Sequence, residues 1–164
     1  PRLFSNTLRN NILLGLPADD DALTQAIRLA VLERDLAEFE AGLETPVGAK
    51  GVKLSGGQIQ RAAAARMFVR APDLLVFDDL SSALDVETER TLWARIFERR
   101  AGTHPPTCLV VSHRKVALRR ADHIIVMKDG HIEAQGRWTS CWRRVRRCGG
   151  CGMGMRRRIR GTCH

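Results

Sequence analysis

Three short stretches carry residue types suited to phosphate chemistry. Leu54-Ser55-Gly56-Gly57-Gln58-Ile59-Gln60-Arg61 is a polar turn that runs straight into Ala62 to Ala65, Arg66 and Met67, residues of high helix propensity. Ser55 with Gln58 three residues later has capping-box spacing. Gly56 and Gly57 put no Cβ between the backbone and a ligand. The first turn of such a helix offers unpaired N–H groups and the positive end of the helix dipole, and both favour phosphate. The apolar run Leu74-Leu75-Val76-Phe77 ends on two acids, Asp78 and Asp79, and a later run, Thr107 to Val111, ends on Ser112-His113. Each stretch taken alone has an ordinary explanation: a capped helix, a solvated strand end, a structural histidine. Their occurrence together, in this order, weighs against all three ordinary explanations.

The elements that must position these residues follow from pattern and punctuation. Asn6 to Leu14 is closed by Gly15-Leu16-Pro17. Asp19, Asp20 and Asp21 load a helix start with negative charge. Leu23, Ile27 and Val31, continued by Leu32, Leu36 and Phe39, predict one apolar helical face. Residues 1–45 therefore read as a small helical lobe, and Thr45 to Lys53 as a loop with Gly48 and Gly51. Leu74 to Phe77 reads as a strand buried on both faces. A loop through Ser81, Ser82 and Asp85 leads to a helix bearing Leu92, Trp93 and Ile96, closed by Gly102 to Pro106. Then come a second strand, a short helix at Arg114 to Arg120, and a third strand, Ile124 to Met127. Asp129-Gly130 turns that strand back through Ile132 to Gly136 as a hairpin. Strands alternating with helices predict parallel α/β packing. In such sheets ligands sit at the C-terminal ends of strands, where Asp78, Asp79 and His113 fall.

Composition narrows the function classes. The 164 residues allow one domain with a core, or two small lobes. The net charge of +9 is uneven: all 18 acids and 18 of the 27 Lys and Arg precede Arg137. The body is neutral, and the basic charge belongs to a tail rich in Arg, Gly and Cys. Nucleic-acid binding by the body is disfavoured on that ground. Cys108 stands alone in the body and reads as a small buried side chain in an intracellular protein. No apolar run approaches the ~18–20 residues of a membrane span. Pro1 opens the chain with neither Met nor a signal-peptide pattern, as expected of a fragment.

Residues 1–136 resemble the nucleotide-binding domain of ATP-binding cassette (ABC) transporters of the exporter type. Leu54 to Gln58, followed by Gln60-Arg61, resembles the family's signature motif. Leu74 to Asp78 resembles the Walker B strand, Ser82-Ala83-Leu84-Asp85 the D-loop, and Ser112-His113 the switch histidine. Thr45-Pro46-Val47-Gly48 resembles the loop before the signature, and Leu3-Phe4-Ser5 with Thr7-Leu8-Arg9 the stretch after the Q-loop. The resemblance implies a partial P-loop NTPase fold of α/β class, with a helical subdomain at 1–53 and the signature helix and C-terminal half of the ATPase core at 54–136. A basic tail occupies 137–164. It implies ATP and Mg²⁺ as ligands, with Asp78 on the metal and Asp79 and His113 catalytic. Ser55, Gly56, Gly57 and Gln58 would lie at the γ-phosphate of a nucleotide bound mainly by a second nucleotide-binding domain, and Asp85 at the interface between the two. The implied assembly includes a transmembrane domain and works at the cytoplasmic face of a membrane.

Departures from the family pattern qualify that expectation. Asp79 stands where the family has Glu, one methylene longer, and a displacement of about 1 Å costs roughly 10²-fold in rate. A weak site on this chain's face is therefore expected. The resemblance implies a homo- or heterodimer, with the heterodimer favoured, in which this chain's signature completes a competent partner site. No Gly-x-x-x-x-Gly-Lys-Ser/Thr occurs in the sequence, so the resemblance implies a domain whose phosphate cradle and opening core strands are not in this chain. That predicts a sheet with an uncovered core face and no ATP turnover by this chain alone. In the tail, Cys148-Gly149-Gly150-Cys151 with Cys163-His164 has the spacing of a zinc knuckle. Its Arg runs suit an anionic surface, and the abrupt loss of acids suits a change of reading frame. Two functional readings stand open: an ATPase subunit of an exporter, and a truncated cassette that serves only as an interaction partner or is inactive.

Overall fold

The computed structural model describes residues 1–49, 51–79, 84–99 and 106–140. The expected positions Ser81, Ser82 and Ala83, the helix end at Gly102 and the tail cysteines lie outside them. The chain divides into two compact units between Val110 and Val111.

The first unit begins with β1 (Asn6–Thr7), which pairs antiparallel with β2 (Pro46–Val47). Thr7 caps α1 (Leu8–Leu13) by accepting from the Asn10 N–H. Asp19 caps α2 (Asp20–Leu29), whose acidic first turn suits its dipole. The apolar pattern predicted one face running on from α2, but the helix breaks. Val31, at φ +57°, occupies the left-handed position, and Leu32 N–H reaches back to the Ile27 carbonyl at 3.1 Å. Val31 N–H takes the Arg28 carbonyl at 3.1 Å, so the ending is a Schellman motif with valine where glycine is usual. Burial of Val31 and Leu32 offsets the strain. Then α3 (Glu33–Glu38) starts in a new direction, and its buried residue is Asp35.

After a 3-10 turn (Gly42–Glu44) and β2, α4 (Gly56–Phe68) packs on both α1 and α2. Its buried face is Ala62, Ala64, Ala65 and Phe68, small residues but for the last, which let the helices approach closely. Next come β3 (Leu74–Asp78), α5 (Val86–Arg99) and β4 (Thr107–Val111), with β3 and β4 neighbours in a two-stranded sheet. Phe77 meets Trp93 of α5 edge-on at 5.4 Å between ring centroids and lies 6.4 Å from Phe68 of α4.

That cluster covers one face of β3 only. Leu75 and Phe77 are 1% and 3% exposed, whereas Leu74 and Val76 are 51% and 53% exposed. The expectation of a strand buried on both faces is therefore corrected: apolar residues occupy both faces, and among the described residues packing reaches one. Leu109 of β4 is exposed as well, so among the described residues an apolar sheet face lies open, as anticipated from the sequence. Cys108 is half-buried rather than buried, because β4 shares that incomplete cover.

The second unit holds α6 (Lys115–Leu118) and a hairpin of β5 (Ile124–Lys128) and β6 (His131–Gly136). Asp129 and Gly130 both have positive φ, +49° and +79°, as a type I′ turn requires. The third apolar strand thus pairs with its own hairpin partner, and the described strands form three two-stranded sheets rather than one.

Candidate functional site

The turn that opens α4 is positioned from both sides. Before it, the loop folds tightly on β2: Val52 N–H donates to the Pro46 carbonyl at 2.8 Å. A Cβ on Gly51 would stand 2.3 Å from that same oxygen, so only glycine fits. Leu54 is buried as the residue preceding the cap. Ser55 is the N-cap, and the box is complete. Gln58 N–H donates to Ser55 Oγ at 3.2 Å, and Ser55 N–H donates to Gln58 Oε1 at 2.9 Å.

Ser55 and Gly56 are exposed, and Gly57 is half-buried. Ser55 Oγ uses an acceptor lone pair on the cap, which leaves its O–H to donate elsewhere. The N–H groups of Gly56 and Gly57 belong to the first turn, where no intrahelical acceptor exists. A hydroxyl and two backbone donors therefore gather at one helix start, with the positive end of the dipole behind them.

Behind the turn, α4 is bolted to the helical lobe at both ends. Arg61 grips Asp35 of α3 with two bonds, Nε to Oδ2 at 2.8 Å and a terminal nitrogen to Oδ1 at 2.7 Å. Gln58 Nε2 donates to Asp35 Oδ1 at 3.2 Å. The Asp35 and Arg61 side chains are largely buried, the setting in which such a pair must be well matched to avoid a desolvation loss. At the far end, Arg66 donates to the Asn11 carbonyl at 2.8 Å and Arg70 to the Leu13 carbonyl at 2.9 Å, satisfying the last carbonyls of α1. Partial burial, and then the charge of Arg70, hold the Arg66 pKa below its usual value. On the lobe's other side, Arg95 of α5 pairs with Glu33 at 2.6 Å and donates to the Arg28 carbonyl.

The acids lie at element ends. Asp78 closes β3 with an exposed carboxylate. Asp79 follows, half-buried, at φ +47°, a left-handed conformation that Asp tolerates better than most residues. Asp85 caps α5: Oδ1 accepts from the Glu87 and Thr88 N–H groups at 3.0 and 2.9 Å, and Oδ2 accepts from the Thr88 hydroxyl at 2.6 Å. The Thr88 hydroxyl first, and then its N–H, lower the Asp85 pKa. His113 is exposed, two residues beyond β4, and belongs to the second unit. Beside it, Ser112 Oγ accepts from the Arg114 N–H. The structure thus brings Ser55, Gly56, Gly57 and Gln58 into one turn and sets Asp78 and Asp79 side by side. Among the described residues no group of three or more His, Cys, Asp or Glu could hold a metal ion.

Asp35 escaped the sequence reading. The available signal was an acid between Leu32 and Leu36 on an otherwise apolar face, which requires a cationic partner when buried.

Comparison with known proteins gives a consistent picture. The chain is 44% identical over 136 residues to the uncharacterized ABC transporter ATP-binding protein YwjA of Bacillus subtilis, covering 82% of this chain and 23% of that protein. It is 41% identical over 140 residues to P-glycoprotein 14 of Caenorhabditis elegans, covering 85% of this chain and 10% of that protein. The solved structure of a bacterial Atm1-family ABC exporter with ATP bound matches at a TM-score of 0.78 and 34% identity, over 87% of this chain and 25% of that one. No protein-family model matches the chain. The chain spans less than a quarter of the length of these two relatives.

Proposed function

We propose, from the premise that this chain belongs by homology to the ATP-binding proteins of ABC transporters, that it forms one face of an ATP sandwich between two such cassettes. In this reading ATP sits chiefly on the other cassette, and the first turn of α4 closes over its γ-phosphate. Ser55 donates its O–H, Gly56 and Gly57 present N–H groups without a Cβ in the way, and Gln58 completes the cap at the phosphate. The carrying observation is the complete capping box at Ser55 and Gln58, opening outward and braced behind by Asp35 and Arg61.

Phosphoryl transfer to water needs charge neutralised and a water positioned rather than covalent help. The exposed carboxylate of Asp78 fits Mg²⁺, a hard cation that keeps part of its hydration shell. Bound there, Mg²⁺ would supply charge neutralisation at the phosphates. Asp79 orients the attacking water, His113 hydrogen-bonds the γ-phosphate, and Asp85 places the start of α5 at the interface between cassettes. The assembly is an exporter with a transmembrane domain, and its cassettes lie at the cytoplasmic face of the membrane. No described helix is long and apolar enough to cross a membrane.

The shorter acid at Asp79 favours a heterodimer in which this chain's signature turn completes the partner's competent site. It also sustains a second reading, a cassette that is only an interaction partner. In the assembled transporter, Ser55→Ala is expected to lower ATP turnover far more than Asp79→Ala. Abolition of turnover by Asp79→Ala alone would refute the asymmetric role. The 164-residue chain by itself is expected to show no turnover.

A further inference from the structure

We infer that Asp35 is a positioning residue for the phosphate-facing turn, setting the Gln58 amide and through it the backbone of Ser55. Gln58 carries three bonds at once. Its N–H caps onto Ser55 Oγ at 3.2 Å, its Oε1 accepts from Ser55 N–H at 2.9 Å, and its Nε2 donates to Asp35 Oδ1 at 3.2 Å. The amide group is planar, so fixing Nε2 on Asp35 fixes where Oε1 points, and with it the Ser55 N–H. Without Asp35 the amide is free to rotate about its last torsion, which is broad and has no strong preferred well.

Asp35 reaches the turn from a different helix, α3, and is itself held by two bonds from Arg61. Oδ1 serves both Arg61 and Gln58. A carboxylate present only to neutralise Arg61 needs no such bond to Gln58. The chain Arg61, Asp35, Gln58, Ser55 therefore fixes the cap geometry from the helical lobe, without any nucleotide.

Its bearing on ATP rests on the reading of α4 given above, but the positional claim is tested apart from it. Native-state amide exchange at Ser55 in the full chain, followed by NMR, reads the Ser55–Gln58 bond directly. Asp35→Ala is expected to speed Ser55 exchange about tenfold, the size of losing one hydrogen bond to a charged group. Ala62 to Ala65 should stay protected. Gln58→Ala should give the same acceleration, and the double variant no more than either single one, the non-additivity of residues acting in one chain. Unchanged Ser55 exchange in Asp35→Ala, or a full second effect in the Gln58→Ala background, overturns the inference.

Where Asp35→Ala also loosens Ala62 to Ala65, Asp35→Asn decides. It keeps the volume and an acceptor oxygen for Gln58 Nε2 but drops the charge facing Arg61. Ser55 exchange restored to near that of the parent supports the inference, and Ser55 exchange as fast as in Asp35→Ala overturns it. In the assembled transporter, Asp35→Ala should lower ATP occlusion about tenfold, measured beside Ser55→Ala. If Ser55→Ala leaves occlusion intact, the phosphate reading fails while the exchange result for Asp35 stands. If Ser55→Ala lowers it but Asp35→Ala changes neither occlusion nor exchange, the inference fails alone.

Discussion

Ser55→Asp separates the two jobs assigned to Ser55, because it preserves one and ruins the other. As an N-cap, Asp matches Ser, and its charge at the positive end of α4 adds about 0.3–1 kcal/mol of stability, toward the lower value because the position is exposed. The Gln58 N–H that now meets Ser55 Oγ at 3.2 Å keeps an acceptor. As a phosphate donor the variant fails twice: the O–H is gone, and a negative charge replaces it. Two unit charges about 4 Å apart repel by about 4 kcal/mol at an effective dielectric constant of about 20. That corresponds to roughly a 10³-fold loss of ATP gripping. Thermal unfolding of the chain and nucleotide trapping by the assembled transporter measure the two arms. The expected result is an unchanged or raised Tm together with trapping reduced about 10³-fold. Trapping equal to that of the parent would refute the phosphate role, whatever the stability did.

Gly51→Ala should destabilise the first unit by about 1–3 kcal/mol in urea unfolding, since its Cβ would fall 2.3 Å from the Pro46 carbonyl oxygen and only backbone movement relieves it. The Asp85 cap should make α5 sensitive to acid. Its folded pKa lies below the ordinary 3.8, so its contribution is complete above that value and is lost as pH falls through the lower folded one. Amide exchange at Glu87 and Thr88 should show this loss, and Asp85→Asn should flatten it. In the assembled transporter with the partner's competent site disabled, Asp79→Glu should raise the residual turnover roughly 10²-fold if the short acid is what limits this chain's site. The same change should slightly lower stability, because residue 79 is at φ +47°; unchanged turnover would place the limit elsewhere.

What the sequence revealed about this molecule depended on how local the cause was. The capping box at Ser55 and the Asp129-Gly130 turn are decided within four residues, and both stand in the structure as their spacing required. The split between α2 and α3 was hidden because Val31 is a residue no local rule assigns to a left-handed position. Its burial in the lobe decides the matter. Likewise, Leu74 to Phe77 showed an apolar run but not which face would find cover. That depends on Phe68 and Trp93, which arrive from helices on either side in sequence. Asp35 was the most distant case: its meaning lies in Arg61, 26 residues away, and nothing around Asp35 announces that partner.

The decisive experiment for the α4 turn as a γ-phosphate grip is a structure of the assembled transporter with a non-hydrolysable ATP analogue trapped between its cassettes. A γ-phosphate oxygen is expected within about 3 Å of Ser55 Oγ and of the Gly57 N–H, with the nucleotide's base and sugar on the other cassette. A trapped nucleotide with the first turn of α4 facing solvent would contradict it.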